Sequence, residues 1–218
     1  MNSFVLTVDN LISDTNLIDE LYDLVVKGEF SLPTNSFYPV RNAIDQNYKP
    51  HDRPNEIIYS FIRSIWFNKL KHLILSQPKK VEGFEVWINS LPETNFNNPK
   101  LAGGIGGLNY HVDRDENASI RGEFHLPIFA NAFYLGPKEG INGGEIVLNT
   151  RGIDHFNEYK GGLIDLGENQ GWVSVPFKYN RMVIFDSTYP HFVKPIVAMP
   201  DNKPRVTMAI NVWHRQIG

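Results

Sequence analysis

The sequence contains no cysteine. That excludes a disulfide framework, thiolate zinc and iron–sulfur sites and a cysteine nucleophile, and it suits a reducing compartment. Any metal must be held by His, Asp or Glu. Excess positive charge is missing too. There are 21 Lys and Arg against 24 Asp and Glu, a formal charge of −3, and the adjacent lysines in a basic context are Lys79 and Lys80. Nucleic acid is therefore not an expected partner. No apolar run approaches the roughly 20 residues that span a bilayer. Met1 to Val8 lacks a basic segment followed by a long apolar core, so a cytoplasmic protein with no membrane partner is expected.

The chain has 218 residues, 42% hydrophobic and 21% charged, a balance ordinary for a globular protein. At this length roughly 70% of the unfolded chain's surface is buried on folding, enough for a core without disulfides. A single domain over residues 1–218 is expected, with a helical flank to about residue 80 and a β core over 81–218. In the flank, Asp14 is placed to cap a helix. Leu17, Ile18, Leu21, Leu24 and Val25 form its apolar stripe, and Gly28 sits where a terminating glycine belongs. A second helix is predicted from Pro54 to Pro78, on the pairs Ile57/Ile58, Phe61/Ile62, Ile65/Trp66 and Leu73/Ile74. Between them, residues 28–53 carry Pro33, Pro39 and Pro50 without clear periodicity, the pattern of a functional loop or lid.

After residue 83 come short runs rich in β-branched and aromatic residues: Phe84–Ile88, Leu108–Asp113, Ile128–Leu135, Glu145–Leu148, Trp172–Val175, Arg181–Phe185, His191–Pro195 and Arg205–Trp213. About eight such strands make a sandwich or jelly roll. In Asn109-Tyr110-His111-Val112-Asp113, period-two alternation turns Asn109, His111 and Asp113 to one face. A second histidine, His191, and an arginine, Arg205, follow on two late strands. Two imidazoles and one carboxylate form the facial triad that suits non-haem Fe(II), because three positions stay open for a bidentate substrate and dioxygen. A guanidinium on the neighbouring strand offers a planar fork for a carboxylate.

Taken together, His111-x-Asp113, Gly143-Gly144, the Arg181–Phe185 run, His191 and Arg205-x-Thr207 resemble the Fe(II)/2-oxoglutarate-dependent dioxygenases, in the prolyl-hydroxylase-like branch. The likeness covers roughly residues 84–213, and the opening Phe4–Ser13 followed by an amphipathic helix also resembles that branch. It implies a mainly β fold, a double-stranded β-helix (jelly-roll, cupin-like) core supported by N-terminal helices. His111, Asp113 and His191 would ligate iron, and Arg205 would pair with the distal carboxylate of 2-oxoglutarate. Tyr134 resembles the tyrosine that shares that carboxylate. Thr207 would add a hydrogen bond, Ile146 would line the pocket, Asn109 and Asn211 would face inward to orient a ligand, and Trp213 would wall the cavity. The implied activity is hydroxylation of an unactivated C–H bond in a peptidyl or free amino acid or another small molecule. It would be coupled to decarboxylation of 2-oxoglutarate to succinate and carbon dioxide, with ascorbate a candidate reductant.

The alternative of a different class is a non-catalytic cupin-type protein that holds a metal or a small acid. A zinc hydrolase is a third reading, for which the sequence offers no His-Glu-x-x-His motif. A rival ligand set is Glu123-x-His125 with Asp186. Asp115 and Glu116 read as part of a solvated loop. His72 falls in the last turn of the second helix, where a cation complements the dipole.

Overall fold

The computed structural model describes residues 4–30, 32, 36–92, 109–159, 166, 170–200 and 203–217. Strand β1 (Val5–Asp9) leads to helix α1 (Thr15–Val26), then β2 (Ser36–Pro39), α2 (Val40–Ile44) and α3 (Arg53–Ile62). Helix α3 continues as a π-helical segment (Arg63–Lys69) before α4 (Lys71–Leu75). Next come β3 (Gly83–Leu91), α5 (Glu116–Ile120), β4 (Phe129–Gly136), β5 (Asn142–Gly143), β6 (Ile146–Asn149) and α6 (Ile153–Glu158). The chain then forms β7 (Trp172–Val175), β8 (Arg181–Asp186), β9 (His191–Val193), β10 (Ile196–Ala198) and β11 (Arg205–Trp213). Among the described residues, no helix is long and apolar enough to cross a membrane.

Helix α1 begins and ends where its sequence signals stand. The Asp14 carboxylate accepts from the Asn16 amide at 3.2 Å, and Gly28 takes the left-handed conformation, φ +71°, that a side chain would resist. The second predicted helix starts as expected, with Asp52 capping the Asn55 amide at 2.8 Å, but it does not run unbroken to Pro78. The Leu70 amide reaches back five residues to the Ile65 carbonyl at 2.7 Å, the π-helical pattern, and the helix breaks there. The apolar pairs at 57/58, 61/62 and 65/66 recur every four residues, an overshoot of about 40° per step in an α-helix. A wider turn keeps Ile65 and Trp66, both fully buried, on the packed face. His72 consequently lies in the short helix α4, outside the long one.

The strands form an antiparallel six-stranded sheet in the order β1-β8-β4-β11-β3-β2, a three-stranded sheet β7-β6-β9 and a pair β10-β5. Alternation divides the large sheet cleanly. Phe84, Val86, Phe129, Phe133, Met182, Ile184, Val206, Met208, Ile210 and Val212 face α1, α3 and the π segment in the main core. Trp66 lies parallel to Phe129, centroids 6.3 Å apart, and Phe61 packs on Phe133 at 5.7 Å. The opposite face meets the small sheet: Ala130, Tyr134, Val183 and Phe185 pack on Ile146, Leu148 and Val175.

Three expectations need correction. The flank is not purely helical, because β1 pairs with β8 and β2 with β3. Five and four residues are too few for periodicity to distinguish a strand from a loop. Of residues 28–53, 36–44 form β2 and α2, with Tyr38 and Ala43 buried in the main core; residues 45–52 have no regular structure, and residues 31 and 33–35 lie outside the described residues. The Leu108–Asp113 strand is absent over 109–113, where an isolated bridge joins His111 to His191, and Leu108 lies outside the described residues.

Candidate metal centre

The bridge between the two histidines is made by their backbones, with His111 N to His191 O at 3.0 Å and His191 N to His111 O at 2.8 Å. It aligns the imidazoles, whose centroids are 4.3 Å apart. Each ring is then turned by a carbonyl two residues earlier. His111 Nδ1 bonds the Asn109 carbonyl at 2.5 Å and His191 Nδ1 bonds the Tyr189 carbonyl at 3.2 Å. A carbonyl only accepts, so both Nδ1 atoms carry the proton and both Nε2 atoms present a lone pair in the neutral rings.

Those lone pairs converge on Asp113. Its Oδ1 lies 3.5 Å from His111 Nε2 and 3.7 Å from His191 Nε2, and one ligand atom from each residue fits within 4.8 Å of the others. Three acceptors pointed at one another with little solvent between them repel unless a proton or a metal cation stands among them. The donor set, two imidazole nitrogens and one carboxylate oxygen, fits Fe(II). Among the described residues no other group of three His, Asp or Glu comes together this way. The other carboxylate oxygen, Oδ2, accepts from Asn211 Nδ2 at 3.0 Å, which leaves Asp113 one free oxygen.

Titration follows this packing. Burial and the neighbouring His111 push His191 down to about 4. Burial alone would lower His111 too, but the hydrogen bond and charge of Asp113 outweigh it and raise that ring. Burial works against the Asp113 carboxylate, yet the two imidazoles and Asn211 hold it below its ordinary value.

His111, Asp113 and His191 line a cavity of about 90 Å³ shared with Ile146, Arg205, Thr207 and Ala132, room for several waters or a small organic acid. Arg205 is 1% exposed. Its guanidinium donates to Thr207 Oγ1 at 3.2 Å and lies 5.2 Å from the Tyr134 ring centroid and 5.6 Å from that of Phe177. Among the described residues no carboxylate pairs with it, and its Nε and the buried Tyr134 hydroxyl have no hydrogen-bond partner. Gly144 makes the room, because a Cβ there would stand 3.0 Å from Arg205 Cδ.

Tyr134 thus stands behind Arg205. Asn211 grips Asp113 and does not line the cavity, and Asn109 is exposed and contributes its carbonyl, against the expectation that its side chain faces inward. Trp213 is buried and donates to Glu85 at 3.1 Å. Sequence reasoning missed Trp87 and Asn89 on the cavity wall. Their signal was period two on β3, which sets them opposite Ala209 and Thr207 of β11. It also missed Asn131. Between Phe133 and Phe129 the β4–β11 ladder is interrupted, and the Asn131 amide takes both backbone groups of Ile210, at 2.7 and 2.9 Å. Asn211 Oδ1 accepts from the Asn131 backbone at 3.2 Å.

The rival set does not assemble. His125 pairs with Glu123 at 2.8 Å on the surface, and Asp186 accepts from Thr188. Asp115 is not solvated as expected. It is 3% exposed and caps α5 by accepting from the Ala118 amide at 2.9 Å, the ordinary use of Asp at a helix start.

No protein-family model matches the sequence, and no curated protein matches it. Solved structures do match. A prolyl-4-hydroxylase of Pseudomonas putida is 14% identical, with a TM-score of 0.56 over 98% of this chain and 90% of that one. A prolyl hydroxylase from Trichoplax adhaerens, in complex with a hypoxia inducible factor oxygen degradation domain peptide fragment, is 15% identical, with a TM-score of 0.50 over 96% of this chain and 84% of its own. HygX from Streptomyces hygroscopicus, with iron bound, is 11% identical, with a TM-score of 0.50 over 97% and 82%. At these identities the likeness is one of fold.

Proposed function

We propose that the chain is an Fe(II)- and 2-oxoglutarate-dependent dioxygenase that hydroxylates a C–H bond of a peptidyl or free amino acid. The observation that carries this reading is the pairing of two incomplete sites in one cavity. Three lone-pair donors converge in a geometry that suits a cation, and a buried guanidinium has no carboxylate partner among the described residues. A metal chelate whose far end is a carboxylate answers both. The facing of the large sheet, which carries Arg205 and Thr207, by the small sheet, which carries His191, supports reading residues 81–218 as a double-stranded β-helix core within a single domain over 1–218. The shared fold with prolyl hydroxylases, one of them holding a peptide, favours a peptide or protein substrate.

In this reading His111, Asp113 and His191 hold the metal. Bound iron, with 2-oxoglutarate and dioxygen, supplies oxidative decarboxylation to succinate and carbon dioxide coupled to hydroxylation. Arg205 receives the distal carboxylate in a two-pronged pair, joined by the Thr207 hydroxyl, while Tyr134 backs the guanidinium from outside the cavity. Contact with the Tyr134 and Phe177 rings restrains the guanidinium before the acid arrives, so little order is lost on binding. Ile146, Ala132 and Val193 keep the walls dry, which strengthens each charged contact. Asn211 keeps Asp113 from turning away from the metal.

The test is anaerobic. Fe(II) and then 2-oxoglutarate are added to the protein, and the visible charge-transfer band of the chelate is sought in the wild type and in Asp113→Ala. The band is expected in the first and absent in the second. Bound iron without a band in the wild type would replace this reading with a non-catalytic metal-binding protein.

A further inference from the structure

We propose that Tyr110, seated in an aromatic box on the outer side of the small sheet, is the positioning residue that sets His111 and Asp113 for the metal. The inference rests on the metal reading above.

The segment 109–113 needs such an anchor because no strand holds it. One bridge fixes the height of His111 against His191 and Asn211 holds the far end at Asp113, but two backbone bonds at a single residue leave the near end, residues 109–111, free to turn about that point. The neighbouring residue removes this freedom. Tyr110 is 8% exposed, and its ring centroid lies 5.1 Å from Tyr159, 5.8 Å from His155, Phe156 and Trp172, and 6.3 Å from Phe192. Its hydroxyl meets His155 Nδ1 at 2.6 Å. The walls come from α6, β7 and β9, so the ring is held from several directions.

The box also couples the two ligand segments. Phe192 follows His191 as Tyr110 precedes His111, and both point outward while the imidazoles point inward. Rotation of the 109–113 backbone would therefore have to drag Tyr110 through Trp172 or Phe156. The box is a hydrophobic cluster separate from the main core and from the layer between the sheets. Loosening it therefore frees the ligand segment without dismantling the packing that holds the sheets together.

The test is titration of the full chain with Co(II), read by its visible d–d absorption, beside thermal melting of the metal-free protein. Tyr110→Leu is expected to raise the Co(II) dissociation constant roughly 10-fold or more, the range for residues that orient metal ligands, and to change the shape of the band. Tyr110→Phe keeps the ring and should bind close to the wild type. Ile58→Val, in the main core behind the large sheet, should lower the melting temperature without moving Co(II) affinity. If Tyr110→Leu does not fold, Phe156→Leu carries the test, since it removes one wall and leaves residues 109–113 untouched; weaker binding is expected again. A folded box variant with wild-type affinity and spectrum overturns the proposal. A wild type that takes up no Co(II) overturns the metal reading, and this inference with it, so the two failures are told apart.

Discussion

Asn211 holds one oxygen of Asp113 at 3.0 Å, and the other oxygen faces two imidazoles. That single amide leaves the carboxylate one oxygen to offer a metal. Asn211→Ala should weaken metal binding roughly 10- to 100-fold, and the loss of a hydrogen bond to a buried charge should destabilise the metal-free protein by about 1.5–3 kcal/mol. Metal titration and chemical denaturation check the two effects separately. Unchanged metal affinity would remove Asn211 from the site.

Arg205 is a buried cation without a carboxylate partner among the described residues. Replacing such a group by an apolar one of similar size often stabilises a protein. Arg205→Met is therefore expected to raise the melting temperature of the ligand-free protein while abolishing its stabilisation by 2-oxoglutarate with Mn(II). Arg205→Lys keeps the charge but loses the fork, and its 2-oxoglutarate dissociation constant should rise by on the order of 10-fold or more. Calorimetric titration in anaerobic buffer measures both; equal affinity in the Lys variant would dismiss two-pronged recognition.

Gly144 adopts φ +71°, and a methyl group there would press on Arg205 at 3.0 Å. Gly144→Ala should destabilise the fold by about 1–2 kcal/mol through backbone strain and also weaken 2-oxoglutarate binding by displacing the guanidinium. A variant that loses stability but binds 2-oxoglutarate normally would show that the arginine has room to move.

The two imidazoles should respond oppositely to acid. His191 is pushed down to about 4 by burial and by His111, from an ordinary 6.5. Its share of stability is complete above 6.5 and disappears as the pH falls towards 4, because the unfolded chain takes that proton first. His111 is raised, so its share is present below 6.5 and lost as the pH rises through its folded value. Melting temperature against pH in the metal-free protein should therefore fall from pH 6.5 to 4, with a shallower slope in His191→Gln. Identical slopes in the two proteins would disprove the assignment.

Much of this was legible from residue patterns alone. The strands Trp172–Val175 and Arg205–Trp213 appear with the bounds expected from their β-branched runs, and Asp14 and Gly28 mark the ends of α1 because capping is local chemistry. The convergence of His111, Asp113 and His191 was expected, but from a strand that does not exist; the bridge to His191 and the backs of the rings do that work. The roles of Asn131 and Asn211 were hidden because their amides replace ladder bonds between strands about 80 residues apart, which no local pattern encodes. The π turn was hidden for a different reason: a four-residue recurrence looks like a helix until the accumulated rotation must be absorbed somewhere.

The sheet order β1-β8-β4-β11-β3-β2 places β11, the last of the described strands, between β4 and β3. A growing chain therefore carries an open slot in the middle of its largest sheet, with two unpaired hydrogen-bonding edges, until Arg205–Trp213 has emerged. Pairing across such sequence separations makes folding slow and leaves exposed edges that invite association with other chains. The strand that closes the slot is also the one that carries Arg205, Thr207 and Asn211. The strand thus completes the sheet and brings Arg205, Thr207 and Asn211 to the cavity region in one step, and a product lacking it is expected to be prone to aggregate.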